Sequence, residues 1–412
     1  MTDTTAERPL AAERDRMDVW LLAIAIALLG AGLGMVLDAS QAYSYLTTHN
    51  SFNIFFHQVA YAVVGLVGLV IASRIDYHAL RRWAPLLFFG AMALMAAVLI
   101  PHVGVNSGGA QRWINIGPIT QFQPSEVAKL AIALYFAHWM AGRGRRLESF
   151  TDGFLPYAIL MGVVVGLLAL QKDLGTLIVT TAMMIAIYFA GGGRKRYLVT
   201  LAGAVIVVMI GLVYVERYRM QRLTTFLNPF ADPSNSTLQS YQGLVALGSG
   251  GLTGVGLGHS VQKYQWLPEA QTDFIFAIIG EELGLIGCTL LIAGFVVLIV
   301  RGYRAAMRAP DRYGVALATG ITTWIACQAL LNMGVVTATV PITGVPLPLI
   351  SYGGTALTVT LTAIGVLLNI SSQGVRPRSG ARTRRNDAAV DRRGGDGGTR
   401  VARARHRAGV PR

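Results

Sequence analysis

Ten apolar segments of membrane-spanning or near-spanning length run through this chain, and any fold has to place each of them across a bilayer or inside a bundle. They cover residues 20–37, 56–72, 84–100, 127–141, 154–170, 174–190, 197–215, 274–300, 314–333 and 355–370; the fourth is short unless it begins near Phe122. About 20 apolar residues cross a hydrocarbon core of roughly 30 Å at 1.5 Å per residue. The charged fraction is 14%, well below the quarter usual in soluble domains. Mean hydropathy is +0.51. The expectation is an all-α polytopic membrane protein of about ten transmembrane helices, with no soluble catalytic domain and no internal repeat.

Basic residues orient it, because short basic loops resist translocation. Linkers after segments 2, 4, 6 and 8 hold Arg74/Arg81/Arg82, Arg143/Arg145/Arg146, Arg194/Lys195/Arg196 and Arg301/Arg304/Arg308/Arg312, whereas those after segments 1 and 9 hold no Lys or Arg. Both termini are therefore expected in the cytoplasm. The organisation reads as a cytoplasmic segment 1–18, a membrane domain 19–372 and an Arg-rich tail 373–412. From Gly374 onward, twelve Arg stand against three Asp, which is +9 of the net +14. That composition predicts a disordered tail near anionic headgroups and offers no folded motif for nucleic acid. The first apolar run lacks a small-residue cleavage pattern and is expected to stay as a signal anchor. Cys288 and Cys327 lie in apolar segments and suit small core residues better than a disulfide or metal site.

Three polar regions fall outside on this topology: 101–124, 334–354 and the 58-residue stretch 216–273. So long a loop in so lean a chain points to function or docking. Its Arg217, Arg219 and Arg222 break the charge rule, which long loops tolerate, or serve an anionic ligand.

The stretch 267–287, LPEAQTDFIFAIIGEELGLIG, sets four acids (Glu269, Asp273, Glu281, Glu282) in an otherwise apolar run. Asp273 opens the eighth segment. One reading makes it, with Thr272, a helix N-cap; the other makes it a base that takes a proton from a hydroxyl at a wet membrane face. Glu281 and Glu282 lie two turns deeper and must face protein or a wet cavity. Glu126 and Lys129, at i and i+3, project from one helix face. They form a local ion pair, or the Lys meets a phosphate while the Glu holds a divalent cation. Arg112 and Trp113 act as interfacial anchors, or as a guanidinium for pyrophosphate beside an indole platform for a sugar. Lys172 and Asp173 read as a structural turn. His57, His102 and His138 lack metal-ligand spacing, and His259 alone carries little. The glycines of 248–258 make no phosphate-binding strand–loop–helix motif, so no nucleotide is expected.

Taken with GGAQRWI (108–114), QPSEVAKL (123–130), QKDLGT (171–176), LPEAQTDFIFAIIGEELG (267–284) and GVPLPLISYGGT (344–355), the chain resembles the SEDS family of shape, elongation, division and sporulation proteins, from about residue 18 to 372. The wording around His259 is closest to the division branch. The resemblance implies a peptidoglycan glycosyltransferase that polymerises lipid II outside the cytoplasmic membrane, with a class B penicillin-binding protein and other divisome or elongasome proteins as partners. It places the essential acid on Asp273 and substrate contacts on Lys129, Glu126, Arg112, Trp113, Glu269 and Ser351. A divalent cation, Mg or Mn, is expected at Glu126 and Asp273. Gln271 and Lys172 depart from the family's common His and Pro. A lipid-linked oligosaccharide flippase and a non-catalytic scaffold for the transpeptidase remain the competing readings.

Overall fold

A computed structural model describes residues 17–374, except 108–109, 117–119, 216–219, 221, 224–225, 229 and 231–236. Residues 1–16, the tail from 375 onward, and Arg217 and Arg219 thus lie outside the described residues. Ten helices of 16 residues or more answer to the ten apolar segments among the described residues. They are α1 (Val19–Thr48), α2 (Asn53–Arg74), α3 (Tyr77–Ala97), α4 (Pro124–Arg143), α5 (Leu155–Leu170), α6 (Leu174–Ala190), α7 (Lys195–Val215), α9 (Ile275–Arg308), α10 (Arg312–Val336) and α11 (Gly354–Ser372). A shorter α8 (Leu238–Gly250) lies in the long polar loop. Eight of the ten are long and apolar enough to cross a membrane, counting the turn that leads into α5. Helix α6 falls short at 17 residues, and α4 carries Glu126 and Lys129.

Burial orders the bundle. In their spanning windows α10 and α11 are 67% and 78% buried, against 11% for α7, so the last two helices form the centre and α7 the rim. Helix α2 lies along α11. Gly65, Gly68 and Gly365 let the two backbones approach: a methyl group on Gly365 would sit 2.4 Å from the Leu69 carbonyl oxygen.

The polar region 101–124 is not only loop. It forms a three-stranded antiparallel sheet, β1 (Gly104–Ser107), β2 (Ala110–Ile116) and β3 (Thr120–Phe122), in the order β1-β2-β3. Val105 pairs with Trp113 and Ile114 with Phe122, and a bulge between Val105 and Asn106 shifts the register.

The region 334–354 departs further from an outer polar loop. Val345, Leu347, Leu349 and Ile350 are each at most 5% exposed, so the segment folds back into the bundle. Gly32 of α1 and Gly175 of α6 make room for it. A methyl group on Gly32 would meet Leu349 O at 2.2 Å, and one on Gly175 would meet Thr343 O at 2.7 Å.

Helices α1 and α9 both outrun their apolar segments. Helix α1 continues to Thr48 because Asp38, where the apolar run stops, is paired: Lys263 Nζ lies 2.7 and 2.9 Å from its carboxylate oxygens. The same ammonium donates to Glu282 Oε1 at 3.0 Å. Glu281 accepts from the Ser260 hydroxyl and from Val261 N. Both glutamates thus face protein, as carboxylates at that depth must. Between them and the rest of α9 the helix breaks at Gly284, whose φ is 64°. The loop after α8 supplies the missing partners. Val255 N and Gly256 N donate to the carbonyls of Glu281 and Glu282, and Leu285 N and Ile286 N donate to Gly251 O and Leu252 O.

Only glycine fits this break. A methyl group on Gly284 would lie 2.4 Å from Gly254 N and 2.5 Å from Leu252 O, at a backbone angle that already disfavours it. Gly284→Ala is expected to cost on the order of 2–4 kcal/mol, read as a lowered thermal midpoint of the detergent-solubilised protein. Gly30→Ala, in α1 with nothing within 4 Å, is the control and should shift the midpoint little.

Candidate functional site

Asp273 lies one residue before the N-cap of α9 and does not cap it: the N-cap is Phe274, with no side-chain cap bond. The Thr272 hydroxyl turns instead to Glu269, 2.7 Å from Oε2. The helix entrance is held from behind. Three consecutive carbonyls accept one bond each: Gln271 O from Tyr352 N at 2.9 Å, Thr272 O from Ser351 Oγ at 2.6 Å, and Asp273 O from Asn332 Nδ2 at 2.8 Å. With its backbone pinned in this way, the Asp273 carboxylate is left to face the other side.

That side is a cavity of about 740 Å³ at the end of the bundle where the polar loops gather. Asp273 and Glu269 line it together with Arg112, Trp113 and Arg222, and Tyr61 and Tyr352 form an aromatic part of its wall. Gly344 stands between the Asp273 carboxylate and the Arg112 guanidinium. A methyl group there would be 3.6 Å from both Arg112 Nη2 and Asp273 Oδ2, and its φ of 70° excludes most other residues. Arg112 is steadied by Asp173, 3.7 Å from Nη1. That is an ion pair beyond hydrogen-bond reach, and the buried Arg112 Nε has no partner, so a guanidinium with five donors keeps some for a ligand. Arg222 donates to Ile342 O at 2.8 Å.

The charges tune the carboxylate. Burial first, and the Glu269 carboxylate second, push Asp273 up from the usual carboxylate range to about 6; Arg112 and Arg222 pull it down, and Asp173 raises it again. A carboxyl group tuned to this value is still mostly ionised at neutral pH and is a stronger base than an ordinary aspartate.

Arg112, Trp113, Glu269 and Asp273 therefore meet in one cavity. Three other expected site residues do not line it. Ser351 is buried, accepting from Leu347 N and donating to Thr272 O, so it staples backbone instead of meeting a ligand. Glu126 and Lys129, 2% and 1% exposed, pair at 2.9 Å inside the bundle. The local ion pair is the reading the structure supports, because carboxylate and ammonium on adjacent turns cancel charge in a dry interior. Glu126 does not line the chamber that holds Asp273, and no three His, Cys, Asp or Glu side chains converge on a metal site among the described residues.

Sequence reasoning read Asp173 as part of a structural turn and did not place it beside Arg112. It is 1% exposed, caps α6 through Thr176 N, receives Gln123 Nε2 at 3.2 Å and faces Arg112. Its signal was available: an Asp directly before an apolar helical run is a capping pattern. Gly344 and Asn332 gave no such local sign.

A bundle of apolar helices closed at one end by a polar, charged chamber defines a multi-pass membrane protein built to handle a ligand at its surface. The chain belongs to the FtsW/RodA/SpoVE family of cell cycle proteins, whose family model matches residues 19–375. It is 40% identical over 361 residues to a probable peptidoglycan glycosyltransferase FtsW of Geobacter metallireducens, covering 88% of this chain and 96% of the relative. It is 42% identical over 354 residues to stage V sporulation protein E of Bacillus subtilis, covering 86% and 96%. Among solved structures, a chain of a peptidoglycan synthase complex that coordinates polymerization and crosslinking superposes with a TM-score of 0.70 at 28% identity, covering 86% and 97%. Thermus thermophilus rod shape determining protein RodA superposes at 0.64 with 26% identity, covering 87% and 97%.

The charge arrangement predicts a pH dependence for whatever reaction Asp273 serves as base. Activity should fall as pH drops through about 6, where the carboxylate takes up its proton. Glu269→Gln removes a repelling charge, favours the ionised form and should move that acid limb to lower pH, by about one unit or less. Arg112→Gln should move it up. An unmoved limb in both variants would take Asp273 out of the titration.

Proposed function

We propose that this protein polymerises lipid II into glycan strands at the outer face of the bacterial cytoplasmic membrane, with Asp273 as general base. Glycosyl transfer in peptidoglycan synthesis is the activity of its family relatives, and this chain is a glycosyltransferase of that kind. One observation carries the assignment to Asp273: its carboxylate and the Arg112 guanidinium flank Gly344 in a chamber that also holds sugar-sized aromatic surfaces.

The reaction joins an acceptor hydroxyl to a sugar that enters α-linked to a lipid pyrophosphate and leaves β-linked, which requires inversion. Asp273 takes the proton of the acceptor 4-hydroxyl as its oxygen bonds to the anomeric carbon. The bond from that carbon to the pyrophosphate oxygen breaks, and the electron pair leaves with the lipid pyrophosphate. Negative charge grows on that leaving group, where Arg112 and Arg222 are placed to oppose it. Its acidity removes the need for a general acid, in keeping with a cavity whose only carboxylates in the described lining are Asp273 and Glu269. Trp113 offers an indole face to a sugar ring. A divalent cation, Mg²⁺ or Mn²⁺, would be held by Glu269, which lines the chamber, together with substrate phosphate oxygens, and would neutralise pyrophosphate charge. Division is the process that the FtsW-named relatives favour, and a class B penicillin-binding protein is the proposed partner, supported by the similarity to a chain of a synthase complex. The cytoplasmic placement of both termini belongs to the same proposal.

Labelled lipid II, given to the purified protein with its transpeptidase partner and a β-lactam to block crosslinking, should yield long glycan strands. Asp273→Asn should cut the rate by about 10²–10⁴-fold, the usual weight of a positioned base, and chelation should slow wild type. Normal polymerisation by Asp273→Asn would defeat the assignment. Transfer of lipid II across sealed vesicles without polymer would turn the reading toward transport.

A further inference from the structure

Helix α10 carries Trp324, Gln328 and Asn332 at i, i+4 and i+8, on one face. All three are buried. The Gln328 Oε1 atom accepts from Lys129 Nζ at 2.8 Å and from Trp324 Nε1 at 2.8 Å, while its Nε2 donates to Pro346 O at 3.0 Å. This orientation is forced. An ammonium and an indole N–H only donate and a proline carbonyl only accepts, so the amide cannot be turned round without losing all three bonds. One turn on, the Asn332 amide gives its two hydrogens to Asp273 O and Val345 O, both at 2.8 Å. Consecutive carbonyls of the buried loop, at 345 and 346, thus hang from consecutive turns of α10. Gly344, directly before them, separates Arg112 from Asp273.

We infer that Gln328 and Asn332 are positioning residues for Asp273, and that Lys129 acts through Gln328 from behind the cavity wall instead of touching substrate. The inference rests on Asp273 as the base. Lys129, held by Glu126 at 2.9 Å and set 4.8 Å from the Trp324 ring centroid, fixes the Gln328 oxygen. Gln328 then fixes the Pro346 carbonyl. A loop displaced by about 1 Å at Gly344 would change the gap between base and guanidinium, an error that can cost on the order of 10²-fold in rate. It would leave the substrate-binding surface otherwise intact.

The test is lipid II polymerisation by the full-length protein with its transpeptidase partner, comparing wild type, Asp273→Asn, Gln328→Met and Lys129→Met. Gln328→Met keeps side-chain length and the Lys129–Glu126 pair but loses the amide. It is expected to lower kcat by about 10–100-fold with the half-saturating lipid II concentration within about threefold. Lys129→Met should show the same split, and the double variant should be no slower than the slower single one. A Gln328→Met protein within about twofold of wild-type kcat would overturn the inference, as would a Lys129→Met protein that raises half-saturation at unchanged kcat. If Gln328→Met does not fold, Gln328→Asn, which withdraws the amide by one methylene, makes the same test. If wild type makes no polymer, or Asp273→Asn matches it, then the Asp273 reading itself has failed; loss of polymer in Asp273→Asn with a normal Gln328→Met sinks the positioning inference alone.

Discussion

Backbone polar groups carried to membrane depth must find partners inside the protein, and the segment from Gly344 to Gly353 is where this fold meets that demand without a helix. Val345 O and Pro346 O are taken by Asn332 and Gln328, Leu347 O by Ile350 N and Ser351 N, and Ser351 O by Gln58 of α2 at 3.1 Å. Leu347 N finds the Ser351 hydroxyl, and Gly353 N the Gln58 side-chain oxygen Oε1. Prolines at 346 and 348 remove two donors that would otherwise need acceptors. The side chains serving this loop come from α2, α10 and the loop itself. Because the loop in turn holds 271 and 272, and Asn332 of α10 holds 273, the geometry of the chamber is set by how well these amides and hydroxyls are matched.

Charge inside the bundle follows the same economy. Lys129 is neutralised by Glu126, Lys263 lies between Asp38 and Glu282, and Arg301 meets Asp18 at 2.7 Å near the start of α1. Each is a contact between segments or turns that would be costly to leave with one partner missing, so each acts as a register mark more than as a source of stability. The Arg112–Asp173 pair differs. It is longer, it opens on the cavity, and its cation keeps donors free. The structural pairs are short and closed within the protein, whereas the cation beside Asp273 faces the chamber.

The spans were legible because hydropathy over about twenty residues reflects a bulk property of lipid and needs no knowledge of neighbours. Asp273 was legible as an acid at the mouth of an apolar run. Its surroundings were not, since Gly344, Asn332 and Tyr352 lie 59 or more positions away and nothing local marks their approach. The sheet 104–122 escaped notice because its strands are short, polar and broken by glycine. Glu126 and Lys129 could be placed on one helix face by spacing, but spacing cannot say whether that face meets a cavity or a neighbouring helix. Ser351, read as a ligand contact from its motif, spends its hydroxyl on backbone, which only the folded loop reveals. The break at Gly284 was invisible for a similar reason: its partners are amides of Gly251–Gly256, and amides carry no sequence signature.

The way the 344–353 loop is held also sets an order of assembly. Its partners sit on α2, which is made early, and on α10, made just before it, while α11 emerges after it and covers α2. As synthesis proceeds from the N-terminus, Asp273 is in the membrane well before the groups that pin its carbonyl exist. The setting of Asp273 is therefore complete only once α10 and the 344–353 loop have been made. A chain cut before Asn332 would carry the acid without the groups that pin its carbonyls.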